Sequence, residues 1–167
     1  MTGPLLEGLP PIVGDGARLL ILGNMPSAMS LALRQYYGNP RNAFWRITGE
    51  LFAFDPAADY ASRTAALRAR GVAVWDVLRL CRRRGSLDSA VEPDSMAPND
   101  FAMLFDTHPH IDRVLFNGAA AETNFRRLVD ADLPLHFRRV PSTSPAQTMR
   151  FEDKLSAWRA AVNGTDA

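Results

Sequence analysis

The chain has 167 residues, 19 basic against 18 acidic side chains, 47% hydrophobic and 22% charged residues. That length admits one domain around one core, the composition excludes the fibrous and disordered classes, and a net charge of +1 excludes binding by bulk charge. Any affinity for nucleic acid must therefore come from local clusters of basic side chains. Cys81 is the single cysteine, so an internal disulfide and a thiolate-rich zinc or iron–sulfur site are excluded, and a reducing, cytoplasmic setting fits. No apolar run is long enough for a membrane span. Lys154 is the only lysine; arginine supplies the remaining basic residues, including the run Arg82-Arg83-Arg84. Arginine suits bidentate phosphate contacts, but the same bias follows from a GC-rich genome, and such a run also reads as a solvated patch. His108, His110 and His136 are too scattered for a metal site, and none is expected.

Residues 1–16, rich in glycine and proline, read as a loose lead-in to a single domain over 17–163. Apolar runs at 17–22, 72–75, 113–116 and 135–140 predict strands. The first three are nearly continuous in Leu, Ile, Val and aromatics, as strands buried on both faces are. Between and after them, helical spacing covers 42–54, with Phe44, Ile47, Leu51 and Phe54 on one face, then 60–69, 100–105, 119–129 and 147–162. Strands alternating with helices imply right-handed crossovers. The expected fold is α/β, a three-layer α/β/α sandwich with a central four-stranded parallel sheet. Ligands of such sheets bind beyond the carboxyl ends of the strands, where segments 23–27, 76–77, 117–118 and 141–145 should gather. Neither Gly-x-Gly-x-x-Gly after the first strand nor Gly-x-x-x-x-Gly-Lys-Ser/Thr occurs, so no cofactor is expected.

Several residues have two readings on residue type. Asn117 can offer a donor and an acceptor to a ligand edge, or act as a turn residue before Gly118. Asn42 suits a helix N-cap as well as a binding role. Asp76 at a strand end suits a helix cap or a pocket contact, with capping preferred. Tyr36 and Tyr37 suit either core or pocket, and Trp45 reads as core.

The run Tyr36-Tyr37-Gly38-Asn39-Pro40-Arg41-Asn42-Ala43-Phe44-Trp45 follows the strand-loop Gly23-Asn24-Met25-Pro26. Later come Phe116-Asn117-Gly118 and Pro141-Ser142-Thr143-Ser144-Pro145-Ala146. In this order, from about Leu19 to Pro145, these motifs resemble the uracil-DNA glycosylase superfamily. Two departures point to a branch. Uracil-specific relatives carry a polar water activator where this chain has Met25, a thioether without acid–base capacity, and often a histidine where Val140 precedes Pro141. On both counts the chain is similar to the hypoxanthine-DNA (deoxyinosine) glycosylases, although that branch usually has Gly in place of Ser27 and His in place of Asn39.

The resemblance implies a monofunctional glycosylase of base excision repair, working without cofactor or metal as a monomer on DNA that contains deaminated bases. Excision of uracil from mismatches and a catalytically silent DNA-binding member of the fold are the alternatives. The catalytic residue carried over is Asn42, whose carboxamide would hold the attacking water by orientation and a fixed dipole. Asn117 would read the edge of the extruded base, Phe44 would stack on its face, and Met25 would be an apolar contact to it. Ser142 and Ser144 would bind the flanking phosphates, with Arg150 as a further phosphate contact.

Overall fold

The computed structural model describes residues 2–129 and 132–164. Its centre is a four-stranded parallel sheet in the order β3-β2-β6-β7, built from β2 (Leu19–Gly23), β3 (Val72–Asp76), β6 (Arg113–Asn117) and β7 (His136–Val140). The expected strands are all present, the first three ending one residue later than expected and the fourth beginning one residue later. Strand β2 lies inside the sheet with Leu20, Ile21 and Leu22 wholly buried. Burying each such side chain is worth about 1.5–3 kcal/mol, which explains why the run admits no polar residue until Asn24.

Helices α2 (Phe44–Phe52), α3 (Tyr60–Ala69) and α6 (Phe151–Asn163) pack together on one face. Helices α4 (Phe101–Thr107) and α5 (Ala119–Leu128) cover the other, where Phe101, Phe116, Phe125 and Phe137 form one aromatic cluster. This is the α/β/α sandwich that the alternating pattern implied. The short helix α1 (Ala28–Leu33), capped by the Ser27 hydroxyl accepting from Ser30 N, fell within a stretch to which the sequence reading gave no element.

A second sheet was not anticipated. Strands β1 (Leu5–Glu7), β4 (Leu78–Arg82) and β5 (Ala97–Pro98) pair antiparallel in the order β1-β4-β5. The segment expected to be a loose lead-in therefore belongs to the folded unit. Leu9 and Ile12 are buried, and Ile12 bridges Val74 on the open edge of the parallel sheet, so the segment covers an edge that would otherwise expose its backbone. In the run Arg82-Arg83-Arg84 the outer two residues are exposed and the middle one is buried, and all three guanidinium groups donate to backbone. Arg82 reaches Gly3 O, Arg84 reaches Thr2 O, and Arg83, 1% exposed, reaches Gly85 O at 2.8 Å and Pro26 O at 2.7 Å. None of the described helices is long and apolar enough to cross a membrane.

Candidate functional site

Parallel strands deliver their carboxyl ends to one side, and there a cavity of about 850 Å³ opens. Its wall takes residues from all four segments nominated by the sequence, including Met25, Asp76, Asn117, Ser142 and Ser144, and adds Asn42 from the approach to α2. The first loop is pinned by the small sheet. Val77 N donates to Gly23 O, Leu78 N donates to Asn24 O, and Arg83 holds Pro26 O from below. Met25 is 7% exposed and gives the cavity an apolar surface.

Asn117 is not free to choose its partners. Its Nδ2 donates to Tyr37 Oη at 3.1 Å and to Thr143 Oγ1 at 3.0 Å, while its Oδ1 accepts from Thr143 N at 2.9 Å. One carboxamide thus ties the end of β6 to the tyrosine on one side and the Ser-Pro loop on the other. Gly118 next to it has φ of +95°, and a Cβ there would come within 3.0 Å of Ser142 Cβ, so the turn that presents Asn117 requires glycine.

The Ser-Pro loop is braced from three directions. Ala43 N donates to Thr143 O at 3.0 Å, Trp158 Nε1 donates to Pro141 O at 2.9 Å, and Lys154 Nζ donates to Ser144 O at 3.1 Å and Gln147 O at 2.8 Å. Ser142 Oγ and Ser144 Oγ accept from backbone amides two residues on, forming tight local turns that aim the loop at the cavity. Lys154 is 4% exposed, and burial lowers its pKa.

Asn42 satisfies both of its readings. Its Oδ1 accepts from Phe44 N at 2.9 Å, a cap-like turn opening α2, yet the residue lines the cavity and its Nδ2 has no partner among the described residues. An amide oxygen carries two lone pairs, so the bond to Phe44 leaves one, and the capping bond fixes the orientation of the group.

Two of the expected contact residues do not line the cavity. Phe44 is fully buried and does not line the cavity, because Tyr37 lies over it with ring centroids 3.9 Å apart and planes 14° apart. Tyr37, held in the left-handed region at φ 53°, presents the aromatic face instead. Burial and the negative charge of Asp76 raise its pKa, so the hydroxyl stays neutral. Arg150 follows the last lining residue, Thr148, by two positions. Its side chain is 76% exposed and reaches Asp153 and Glu152 at 3.8 and 3.9 Å.

Asp76 caps no helix, since β4 follows β3 directly. It is 4% exposed, and burial, reinforced by Asp88 and opposed by Arg83, pushes its carboxyl up to about 7. Asn24 links that corner to α5, donating to Asp88 Oδ1 at 3.0 Å and accepting from Asn124 Nδ2 at 2.8 Å. Sequence reasoning left Tyr37 open between core and pocket, and gave Asp88, Thr143 and Lys154 no part in the site. For Asp76 the available signal was the one that found Asn117, a polar residue ending a buried strand.

Uracil DNA glycosylase superfamily is the description of the family profile that matches residues 10–163. The chain belongs to that superfamily. It is 35% identical over 156 residues to a hypoxanthine DNA glycosylase from Methanosarcina barkeri, covering 93% of this chain and 96% of the relative. To a hypoxanthine DNA glycosylase from Methanosarcina acetivorans it is 30% identical over 155 residues, covering 92% and 96%. Among solved structures it is similar to the solution NMR structure of a candidate uracil DNA glycosylase from Methanosarcina acetivorans. There the TM-score is 0.76 at 28% identity, with 95% of this chain and 99% of the other covered. The order of motifs read from the sequence is thus that of the superfamily whose fold the strands adopt.

Proposed function

We propose that this superfamily member is a monofunctional DNA glycosylase that extrudes a deaminated base, hypoxanthine foremost, and releases it by hydrolysis, acting as a monomer in the cytoplasm. The observation that carries the reading is that Asn42 lines the same cavity as an apolar Met25, which stands in the place of a uracil-type activator. The names of the two Methanosarcina relatives support hypoxanthine as the base.

A nucleotide flipped out of the duplex would enter the cavity with its base against the face of Tyr37 and beside Met25. In this scheme Phe44 supports Tyr37 from behind. Asn117 acts by holding the tyrosine and the loop, with its second oxygen lone pair left for the base edge. The Ser142–Ser144 loop receives the flanking phosphates. As the glycosidic bond breaks, the sugar gains oxocarbenium character, and the Asn42 carboxamide holds the incoming water through its remaining lone pair or its Nδ2. Lys154 is occupied by two carbonyls beneath the loop, which supports hydrolysis in place of Schiff-base chemistry.

The test is single-turnover base release from oligonucleotides carrying inosine, uracil or xanthine, with the unmodified protein, Asn42→Ala and Asn42→Asp. Inosine is expected to be the best substrate. Asn42→Ala should slow its release by about 10²-fold or more while costing about 1 kcal/mol of stability through the lost cap. Asn42→Asp keeps the acceptor for Phe44 N and should keep the stability, which separates capping from chemistry. If Asn42→Ala excises inosine at the unmodified rate, or if the protein binds inosine DNA and releases no base, the reading fails.

A further inference from the structure

Asp76 is a buried carboxyl of the cavity wall to which the scheme above gives no role. It stands at the carboxyl end of β3, level with Gly23 of β2, and its side chain fills the space above that glycine. The residue is 4% exposed, yet its carboxyl accepts no hydrogen bond from any described residue. Oδ2 is buried without a partner, and no described cation forms an ion pair with it. Only its main-chain carbonyl is held, by Asn99 Nδ2 at 2.8 Å.

A buried carboxylate without hydrogen-bond donors is costlier to keep than a neutral carboxylic acid. The groups facing it deepen that preference. Asp88 adds negative charge, the Tyr36 and Tyr37 hydroxyls are themselves kept neutral by burial, and Arg83 opposes from a position where its Nη1 finds no partner. No described residue forms a hydrogen bond with the acid, and the group lines the cavity, where a ligand can.

Resting on the glycosylase reading, we propose that Asp76 is a further catalytic residue. As the neutral acid it touches the extruded purine and transfers its proton to the departing base. A purine offers N7, a basic ring nitrogen outside the glycosidic bond, whereas uracil has no imidazole ring. The Asp76 O–H bond breaks as the N7–H bond forms, and the C1′–N9 bond breaks with its electron pair remaining on the base, which leaves uncharged. Water bonds to C1′ and loses a proton, and solvent restores the proton of Asp76. No oxidant, reductant or co-reactant is required.

The proposal is tested by single-turnover release of hypoxanthine between about pH 5.5 and pH 9, for the unmodified protein, Asp76→Asn and Asp76→Ala, with melting temperatures for all three. Expected is a rate that declines above about pH 7 in the unmodified protein. In both variants that limb disappears and release is about 10²–10⁴-fold slower, with a melting temperature at pH 8 equal to or above that of the unmodified protein. A purely structural aspartate would instead lower the melting temperature and leave the pH limb in place. Asp76→Asn working within about threefold of the unmodified rate with the same pH profile, or melting lower at pH 8, overturns the proposal alone. An unmodified protein that releases no base at any pH overturns the glycosylase reading and this role with it.

Discussion

Replacing Lys154 with methionine keeps a long unbranched stem on α6 and removes only the ammonium. That ammonium donates to Ser144 O at 3.1 Å and to Gln147 O at 2.8 Å from a side chain that is 4% exposed. A hydrogen bond from a charged donor contributes roughly 1.5–3 kcal/mol, so two of them contribute about 3–6 kcal/mol before offsets. Two offsets apply. Burial penalises the charged form, as the lowered pKa shows, and the methionine stem retains about 0.8 kcal/mol for each buried methylene. A net loss of roughly 2 kcal/mol in urea unfolding is expected. It should be concentrated at 144–147, where amide exchange should accelerate more than in the parallel sheet. Because the same loop is assigned to the phosphates, affinity for inosine DNA should fall by about tenfold, or roughly 1.4 kcal/mol. An unchanged urea midpoint together with an unchanged Kd would refute the claim that the buried amine holds this loop.

The carboxyl of Asp76 makes stability depend on pH. Its value is raised from 3.8 to about 7, so the folded state binds the proton more tightly. The resulting stabilisation is complete below about pH 4 and is lost as pH rises through about 7. At about 1.4 kcal/mol per pH unit the loss is at most roughly 4 kcal/mol. Asp76→Asn escapes it, so the variant should gain on the unmodified protein between pH 4 and pH 8 in urea unfolding; an equal difference at both values would sink the argument. Gly23→Ala should cost about 1–3 kcal/mol, because its Cβ would collide with Asp76 Oδ1 and lie 3.0 Å from Tyr37 Oη. Adding Asp76→Ala should recover most of that cost, and a double variant no more stable than Gly23→Ala would show that the strain lies elsewhere.

The parallel sheet was legible because strands buried on both faces must be apolar nearly throughout, and the runs ending at Gly23, Asp76 and Asn117 carry that signature in the chain itself. Residues Leu5–Glu7 and Ala97–Pro98 carry no such signature. Their strands are two and three residues long, and their pairing with Leu78–Arg82 is decided by contacts far apart in sequence. The site divides the same way. Asn42, Met25, Asn117, Ser142 and Ser144 reach the cavity because each lies on, or just before, a segment that the topology must bring there. The role given to Phe44 failed to account for Tyr37, whose left-handed turn sets one ring in front of the other. Capping was preferred over a pocket contact for Asp76, yet a strand follows it and the residue lines the cavity. Lys154 looked distant by residue count, yet one face of α6 returns it to within hydrogen-bond distance of the loop ten residues earlier.

The bonds of Asn117 have a consequence for how such a protein would travel along DNA. Tyr37 and Thr143 hang on the same carboxamide, so a phosphate that pulls on the Ser-Pro loop also pulls on the ring that forms the cavity's aromatic face. Gripping the backbone and shaping the receptacle become one event. Under the proposed scheme a normal nucleotide, which leaves the duplex reluctantly, would meet a receptacle only half set and would slip back before it was cut. The selectivity of the search would reside partly in that linkage, and loosening it would yield a protein that dwells longer on undamaged DNA.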